Sequence, residues 1–185
     1  MSDAIAGVLS SLEKIVFDAE TIQRRVAAMA AQIVSDFAGQ ELDVVALMDG
    51  ALFFVADLLR SVPLPVRVHT MSVRSYHGGT MSTGTVQLLQ QLPTGLEGRR
   101  VLLIDDILDT GLTLATVQRQ ITETCRPLSL HSAVLLRKDR PRDMEVPADY
   151  IGFDIPDEFV VGYGMDYQGH YRNIPCIGVL SPDAI

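Results

Sequence analysis

Residues 101–113 read Val-Leu-Leu-Ile-Asp-Asp-Ile-Leu-Asp-Thr-Gly-Leu-Thr. Val101 to Ile104 form an apolar run that reads as a buried strand. Asp105 and Asp106 follow at its end, and Asp109 precedes Thr110, Gly111 and Thr113. A helical pattern then starts, with Leu114, Val117 and Ile121 on one face. Acids, hydroxyls and a glycine therefore lie between a strand and a helix start, where open α/β sheets bind ligands. Free backbone N–H groups and the helix dipole favour a phosphate at that point. Ionised carboxylates only accept hydrogen bonds, which suits sugar hydroxyls or a metal. Phosphate and acid together point to a sugar phosphate. The competing reading is structural: Asp109 or Thr110 caps the helix, and Asp105 and Asp106 merely end the strand.

Outward from this segment the elements alternate. The spacing of Ile22, Val26, Met29, Ile33 and Phe37 predicts a helix from about Ala19 to Ala38, with Asp18 as N-cap and Gly39 as stop. Leu42 to Met48 reads as a buried strand, Asp49-Gly50 as a turn and Ala51 to Arg60 as a second helix. Val66 to Val73 and Val86 to Leu92 read as strands. The stretch Ser75–Thr85 between them, with Gly78, Gly79 and Gly84, has little to bury and suits either a plain connection or a lid. After a helix over 114–125, Leu130 to Leu136 is a strand and Arg137 to Arg142 a charged loop. Tyr150 to Phe153, Val160-Val161 and Cys176 to Leu180 read as short strands. Repeated β-α-β order implies an α/β fold, a mainly parallel twisted sheet with helices on both faces. The expectation is one domain over 1–185, its core about 40–140, with a small hood from the C-terminal part and perhaps the N-terminus.

The chain has 185 residues, 48% of them hydrophobic and 21% charged, which suits a globular domain with a sizeable core. Its longest apolar stretch, Ala51 to Leu59, is interrupted by Asp57 and too short to span a bilayer. Met-Ser-Asp-Ala-Ile lacks a basic leader. Cys125 and Cys176 form no disulfide framework. A cytoplasmic location is the expectation. A net charge of −8 argues against nucleic-acid binding, which needs basic surface. It also means that a polyanionic substrate must be held by helix N-termini, a few cations and a divalent metal. Lysine occurs only as Lys14 and Lys138, against thirteen arginines. His69, His77, His131 and His170 show no metal-ligand spacing.

The 101–113 run closely resembles the 5-phosphoribosyl 1-diphosphate (PRPP) signature of the type I phosphoribosyltransferases, with Leu112 larger and more apolar than usual. The resemblance extends over roughly 44–180 and is strongest to the hypoxanthine-guanine phosphoribosyltransferases in Ile151-Gly-Phe-Asp-Ile-Pro-Asp-Glu-Phe-Val-Val-Gly-Tyr-Gly-Met-Asp-Tyr-Gln-Gly-His-Tyr-Arg-Asn. It implies that Asp105 and Asp106 hold the ribose diol and that Asp109, Thr110, Gly111, Leu112 and Thr113 wrap the 5-phosphate. Asp109 would serve as the base at N7. It implies a diphosphate turn at Asp49-Gly50, where a residue–Gly peptide, often cis, presents its N–H; Asp49 replaces the usual basic residue. Arg172 would contact the diphosphate, and Arg142 less securely. Lys138 would donate to the purine O6, Phe159 would stack on the base and Val160 would meet its edge. Asp166 would join Asp105 and Asp106 around Mg2+. Ser75 and Tyr76 match a Ser-Tyr pair in the family's flexible loop. The implied reaction is purine salvage: transfer of 5-phosphoribosyl from PRPP to N9 of hypoxanthine or guanine, giving IMP or GMP and diphosphate. A homodimer or homotetramer is implied. The rivals are an enzyme for xanthine or another base, an RNA-binding regulator on the same fold, and a generic nucleotide-binding domain, which leaves lid and hood unexplained.

Overall fold

The computed structural model describes residues 9–76 and 85–184, with the backbone alone for 74–76, 85–88 and 183. The order is β1 (Leu12–Phe17), α1 (Ala19–Asp36), β2 (Leu42–Met48), α2 (Leu52–Arg60), β3 (Val66–Tyr76), β4 (Thr85–Leu88), β5 (Arg100–Leu108), α3 (Leu112–Gln120), β6 (Ser129–Asp139), β7 (Tyr150–Pro156), β8 (Val160–Val161) and β9 (Ile177–Leu180). The main sheet runs β4-β3-β2-β5-β6-β7. All of its pairings are parallel except β3 with β4. The second sheet, β1-β9-β8, is antiparallel and forms the hood.

Period-two alternation divides each central strand between two cores. Val44, Ala46, Leu102, Ile104 and Leu135 face one way, packing with Ile22, Met29 and Ile33 of α1 and Phe54 and Leu58 of α2. Val45, Leu47, Val101, Leu103 and Val134 face the other, against Leu114 and Val117 of α3. The expected apolar runs are therefore strands covered on both sides.

Local chemistry sets the element ends. The Asp18 side chain accepts from the Thr21 N–H at 2.8 Å, capping α1, and Gly39 has φ +70° just beyond it. The edge strand β7 is gripped from α1, where Arg25 Nε donates to the Gly152 carbonyl at 2.6 Å and its Nη2 to that of Ile151 at 2.5 Å.

Several elements differ from expectation, among them the ends of β3 and β4, which are Val66–Tyr76 and Thr85–Leu88. The strand through 101–104 continues to Leu108, so Asp105 and Asp106 lie within it and not after it; the ladder to β6 persists at Asp105, Ile107 and Leu108. The expected 137–142 loop is strand as far as Asp139, because Lys138 pairs with Ile155 of β7. The 114–125 helix is α3 from Leu112 to Gln120, followed by a π-turn over Ile121–Cys125. The first forty residues contribute a hood strand, β1, which carries too few buried positions for its pattern to show.

Helix α2 leads from β2 outward to β3, whereas α3 leads from β5 the other way to β6. The connections diverge between β2 and β5. A crevice at the carboxyl ends of those two strands is the geometric consequence.

Candidate active site

A cleft of about 360 Å³ opens at that crevice. It is lined by Asp49 and Gly50 after β2, by Asp105 to Leu114 from β5 through the start of α3, and by Val73, Asp143, Asp166 and Arg172. Asp106 comes so close to Gly50 that a Cβ there would overlap its carboxylate. Gly50 is thus fixed by approach, not by turn propensity. The cis bond near this turn is Met48–Asp49, one peptide before the expected residue–Gly bond.

Of the two acids at the floor, Asp105 is buried and Asp106 half-buried. Asp105 is 8% exposed, and its Oδ1 accepts the Asp106 N–H at 3.0 Å, while Asp106 Oδ1 accepts the Ile107 N–H at 2.8 Å. Burial, then the neighbouring Asp106 charge, push the Asp105 carboxyl well above the usual carboxylate range. Burial also raises Asp106, against backbone hydrogen bonds and the Arg172 charge that lower it. Two desolvated oxygen-donor groups side by side call for a counterion or hydroxyl donors. Among the described residues no three His, Cys, Asp or Glu side chains converge to hold a metal alone. A hard cation fits Asp105 and Asp106 only if substrate and water oxygens complete its shell.

The loop beyond them is built for backbone contact. Gly111 is the N-cap of α3 with φ +82°, and no side chain caps the helix. Asp109 therefore does not play the capping role, while the Thr110 hydroxyl accepts the Leu112 N–H in a long contact of 3.4 Å. A Cβ on Gly111 would strike the Met144 carbonyl, and the Thr110 carbonyl accepts from the N–H groups of Asp143 and Met144 at 3.0 and 3.2 Å. The 143–144 segment thus braces the turn from below, leaving an α-helix N-terminus facing the cleft.

Asp109 is instead engaged by cations. Lys138 Nζ lies 3.1 Å from its Oδ2, and Arg140 Nη1 lies 3.0 Å from its Oδ1. Lys138 is 8% exposed, so it is not a solvated strand-end lysine. Asp157 completes this group, at 3.2 Å from Lys138 and 3.5 Å from Arg140. Neither Arg140 nor Asp157 stood out in the sequence. Their only signal was charge, two residues from Lys138 and two before Phe159.

Asp166 and Arg172 reach the cleft as a pair, at 2.7 Å. Arg172 Nη1 also donates to the Gly164 carbonyl at 2.6 Å, and Asp166 Oδ2 accepts the Gly169 N–H at 2.7 Å. Gly164 abuts the Gly50 carbonyl, and the Tyr163 hydroxyl donates to Asp57 of α2 at 2.7 Å. The hood is thereby locked onto the Asp49-Gly50 turn. Lys138, Phe159 and Val160 do not line the cleft. Lys138 adjoins it through Asp109. Val160 is buried in β8, pairing with Val179. Phe159 is 50% exposed, edge-on to Tyr167 with ring centroids 5.8 Å apart. Ser75 and Tyr76 end β3, with backbone pairing to Val86 and Thr85; the lid expected beyond them falls mostly on 77–84, outside the described residues. His69 and His131 pair with Asp43 and Asp149 and bind nothing in the cleft.

Comparison with known proteins agrees with this geometry. Residues 14–168 match the phosphoribosyl transferase domain. The hypoxanthine-guanine phosphoribosyltransferase of Mycobacterium avium is 40% identical over 177 residues, 92% of this chain and 87% of that protein. The Staphylococcus aureus protein of the same name is 39% identical over 94% of this chain and 97% of its own. A crystal structure of hypoxanthine phosphoribosyltransferase from Staphylococcus aureus superimposes with a TM-score of 0.89 at 38% identity, covering 96% of each chain. A substrate complex of the Trypanosoma cruzi enzyme gives 0.86 at 37%, covering 95% and 98%. Fold, cleft and sequence agree: the chain belongs to the phosphoribosyltransferases, in the hypoxanthine-guanine phosphoribosyltransferase family.

Proposed function

We propose that this protein is a purine-salvage transferase that moves 5-phosphoribosyl from PRPP to N9 of hypoxanthine or guanine, releasing diphosphate. The observation that carries the reading is one cleft shared by a buried acid pair, a helix N-terminus behind Gly111, the Asp49-Gly50 turn and Arg172. Each part has a task in this chemistry. Asp105 and Asp106 accept the ribose hydroxyls. The backbone of Thr110 to Thr113 takes the 5-phosphate. The Asp49-Gly50 backbone and Arg172 receive the diphosphate, Arg172 giving up part of its hold on Asp166. Asp105, Asp106 and Asp166 would offer oxygens to a bound Mg2+, with substrate and water oxygens completing its shell, and the ion would supply neutralising charge for the diphosphate.

Asp109 accepts the N7 proton, which makes N9 the better nucleophile. Lys138 donates to O6, selecting 6-oxopurines, with Phe159 over the ring and Val160 at its edge. The Ser75-Tyr76 end of β3 leads into the segment that excludes water from an oxocarbenium-like centre. One domain of 1–185, assembled as a homodimer or homotetramer and acting in the cytoplasm, completes the reading. Among the described residues no helix is long and apolar enough to cross a membrane. Purified protein with PRPP and Mg2+ is expected to convert hypoxanthine and guanine, and chelation to stop it. Turnover on uracil or orotate alone, or on no base, would refute the assignment.

A further inference from the structure

We infer that Arg140 is the stand-in cation that releases Lys138 for the base, and that Asp157 is the carboxylate on which Lys138 rests between turnovers. The inference rests on the 6-oxopurine reading above. Lys138, Arg140, Asp109 and Asp157 form a closed ring of two cations and two carboxylates, with contacts of 3.1, 3.0, 3.2 and 3.5 Å. To donate to O6, Lys138 must leave at least one of its two acids. Without another cation, Asp109 and Asp157 would then face each other as like charges, and the lysine would be held back. Arg140 bridges both acids through the same Nη1, so the pair stays neutralised when Lys138 turns away.

The guanidinium is well placed for this task. Its Nε is buried without an acceptor among the described residues. Among the described residues its polar contacts are with the two acids. Arginine suits the role better than a second lysine, because its guanidinium is always charged and sheds water more readily. Lys138 is the buried member of the ring and Arg140 the half-exposed one. Arg140 can thus hold both acids from the solvent side while Lys138 moves on the inner side. Arg140 and Asp157 are positioning residues in this scheme and touch no reacting atom.

Steady-state kinetics with hypoxanthine and PRPP separate the possibilities. The wild type is assayed first. If it turns over no 6-oxopurine, the functional reading itself is lost. Given wild-type activity, Arg140→Gln is expected to raise KM for hypoxanthine about tenfold, the scale of one charge-assisted hydrogen bond, with KM for PRPP little changed. Asp157→Asn in that background removes the second acid and is expected to restore most of the loss. Asp157→Asn alone frees Lys138 and is expected to leave KM for hypoxanthine equal or lower. A general destabilising role would raise both KM values and would not be rescued by a second substitution. Unchanged base KM in Arg140→Gln, or an Asp157→Asn effect that adds to it, overturns the inference. If Arg140→Gln does not fold, Asp157→Asn alone decides: a raised base KM overturns the inference, and an equal or lowered one upholds it.

Discussion

At Asp109 one carboxylate has two calls on it. Both of its oxygens are bound by cations in the resting protein, yet each oxygen keeps a lone pair for an N7 proton. Asp109→Asn preserves the shape of the side chain and removes its charge. The expected result is a fall in turnover of about 10²–10⁴-fold, with a normal melting curve and little change in KM for PRPP. Near-normal turnover would rule the residue out as the base. Lys138→Met tests the other half of the pair. Burial deprives this ammonium of water, so its partners matter more than a surface pair's would. The substitution is expected to lower kcat/KM for hypoxanthine and guanine roughly ten- to a hundredfold, leaving KM for PRPP nearly alone. Equal losses for both substrates would make Lys138 a structural group. Sequence pattern exposed Asp109, which falls in a strand–loop–helix run of acids and hydroxyls, whereas Lys138 stood out only through the family resemblance. The pattern missed Arg140 and Asp157, since a charge in a polar stretch looks the same whether it meets water or another charge.

Between elements, the phosphate loop depends on a left-handed residue that also has no room for a side chain. Gly111→Ala must place a Cβ at φ +82° and against the Met144 carbonyl. The conformation alone costs about 1–2 kcal/mol, and relief of the overlap moves the loop from its brace at 143–144. Denaturant unfolding is expected to show that loss, and KM for PRPP is expected to rise while KM for the base stays close to normal. Retained PRPP affinity would mean that the helix N-terminus does not hold the 5-phosphate. The loop also shows where legibility in the sequence stopped. The strand interiors β2, β5 and β6 were readable, because residues buried on both faces leave apolar runs. The ends of β5 and β6 were not, because backbone ladders continue through Asp105 and Lys138 after the hydrophobic signal has ended, whereas β2 runs from Leu42 to Met48 as expected. Strand β1 left no signal, since its partner β9 lies at the far end of the chain and half its side chains face water. The placing of the acid pair inside β5 matters to function, because a strand holds carboxylates more rigidly than a loop does.

Across the whole molecule, the main sheet carries buried aspartates at both ends with opposite electrostatics. At the cleft end, Asp105 and Asp106 are desolvated together and pushed upward, so their charge works against folding and is retained for the site. At the other end, near the starts of β2, β3 and β5, Asp43 is fully buried but compensated. His69 Nε2 lies 2.9 Å and Arg99 Nε 2.8 Å from its two oxygens, with Arg67 at 3.5 Å and Glu41 sharing Arg99. Burial alone would raise the Asp43 carboxyl, but the His69 and Arg99 hydrogen bonds and the two arginine charges hold it below its ordinary 3.8. A carboxyl lowered in the folded state contributes stability that is fully present above 3.8 and is lost as pH falls through its folded value. Asp43→Asn is therefore expected to cost about 3 kcal/mol at neutral pH, the lower end for breaking a buried pair because Arg67 and Arg99 keep access to water. That corresponds to a melting temperature lower by roughly 6–12 °C for a chain of this size. The same substitution flattens the acid limb, so the wild-type and variant stabilities converge as pH drops below about 3.8. Asp105→Asn is expected to raise the melting temperature at neutral pH in buffer free of divalent ions, and to abolish turnover when assayed with Mg2+. A variant at Asp43 that melts like the wild type, or one at Asp105 that melts lower, would show that the sheet does not divide its buried charge between a stabilising end and a working end.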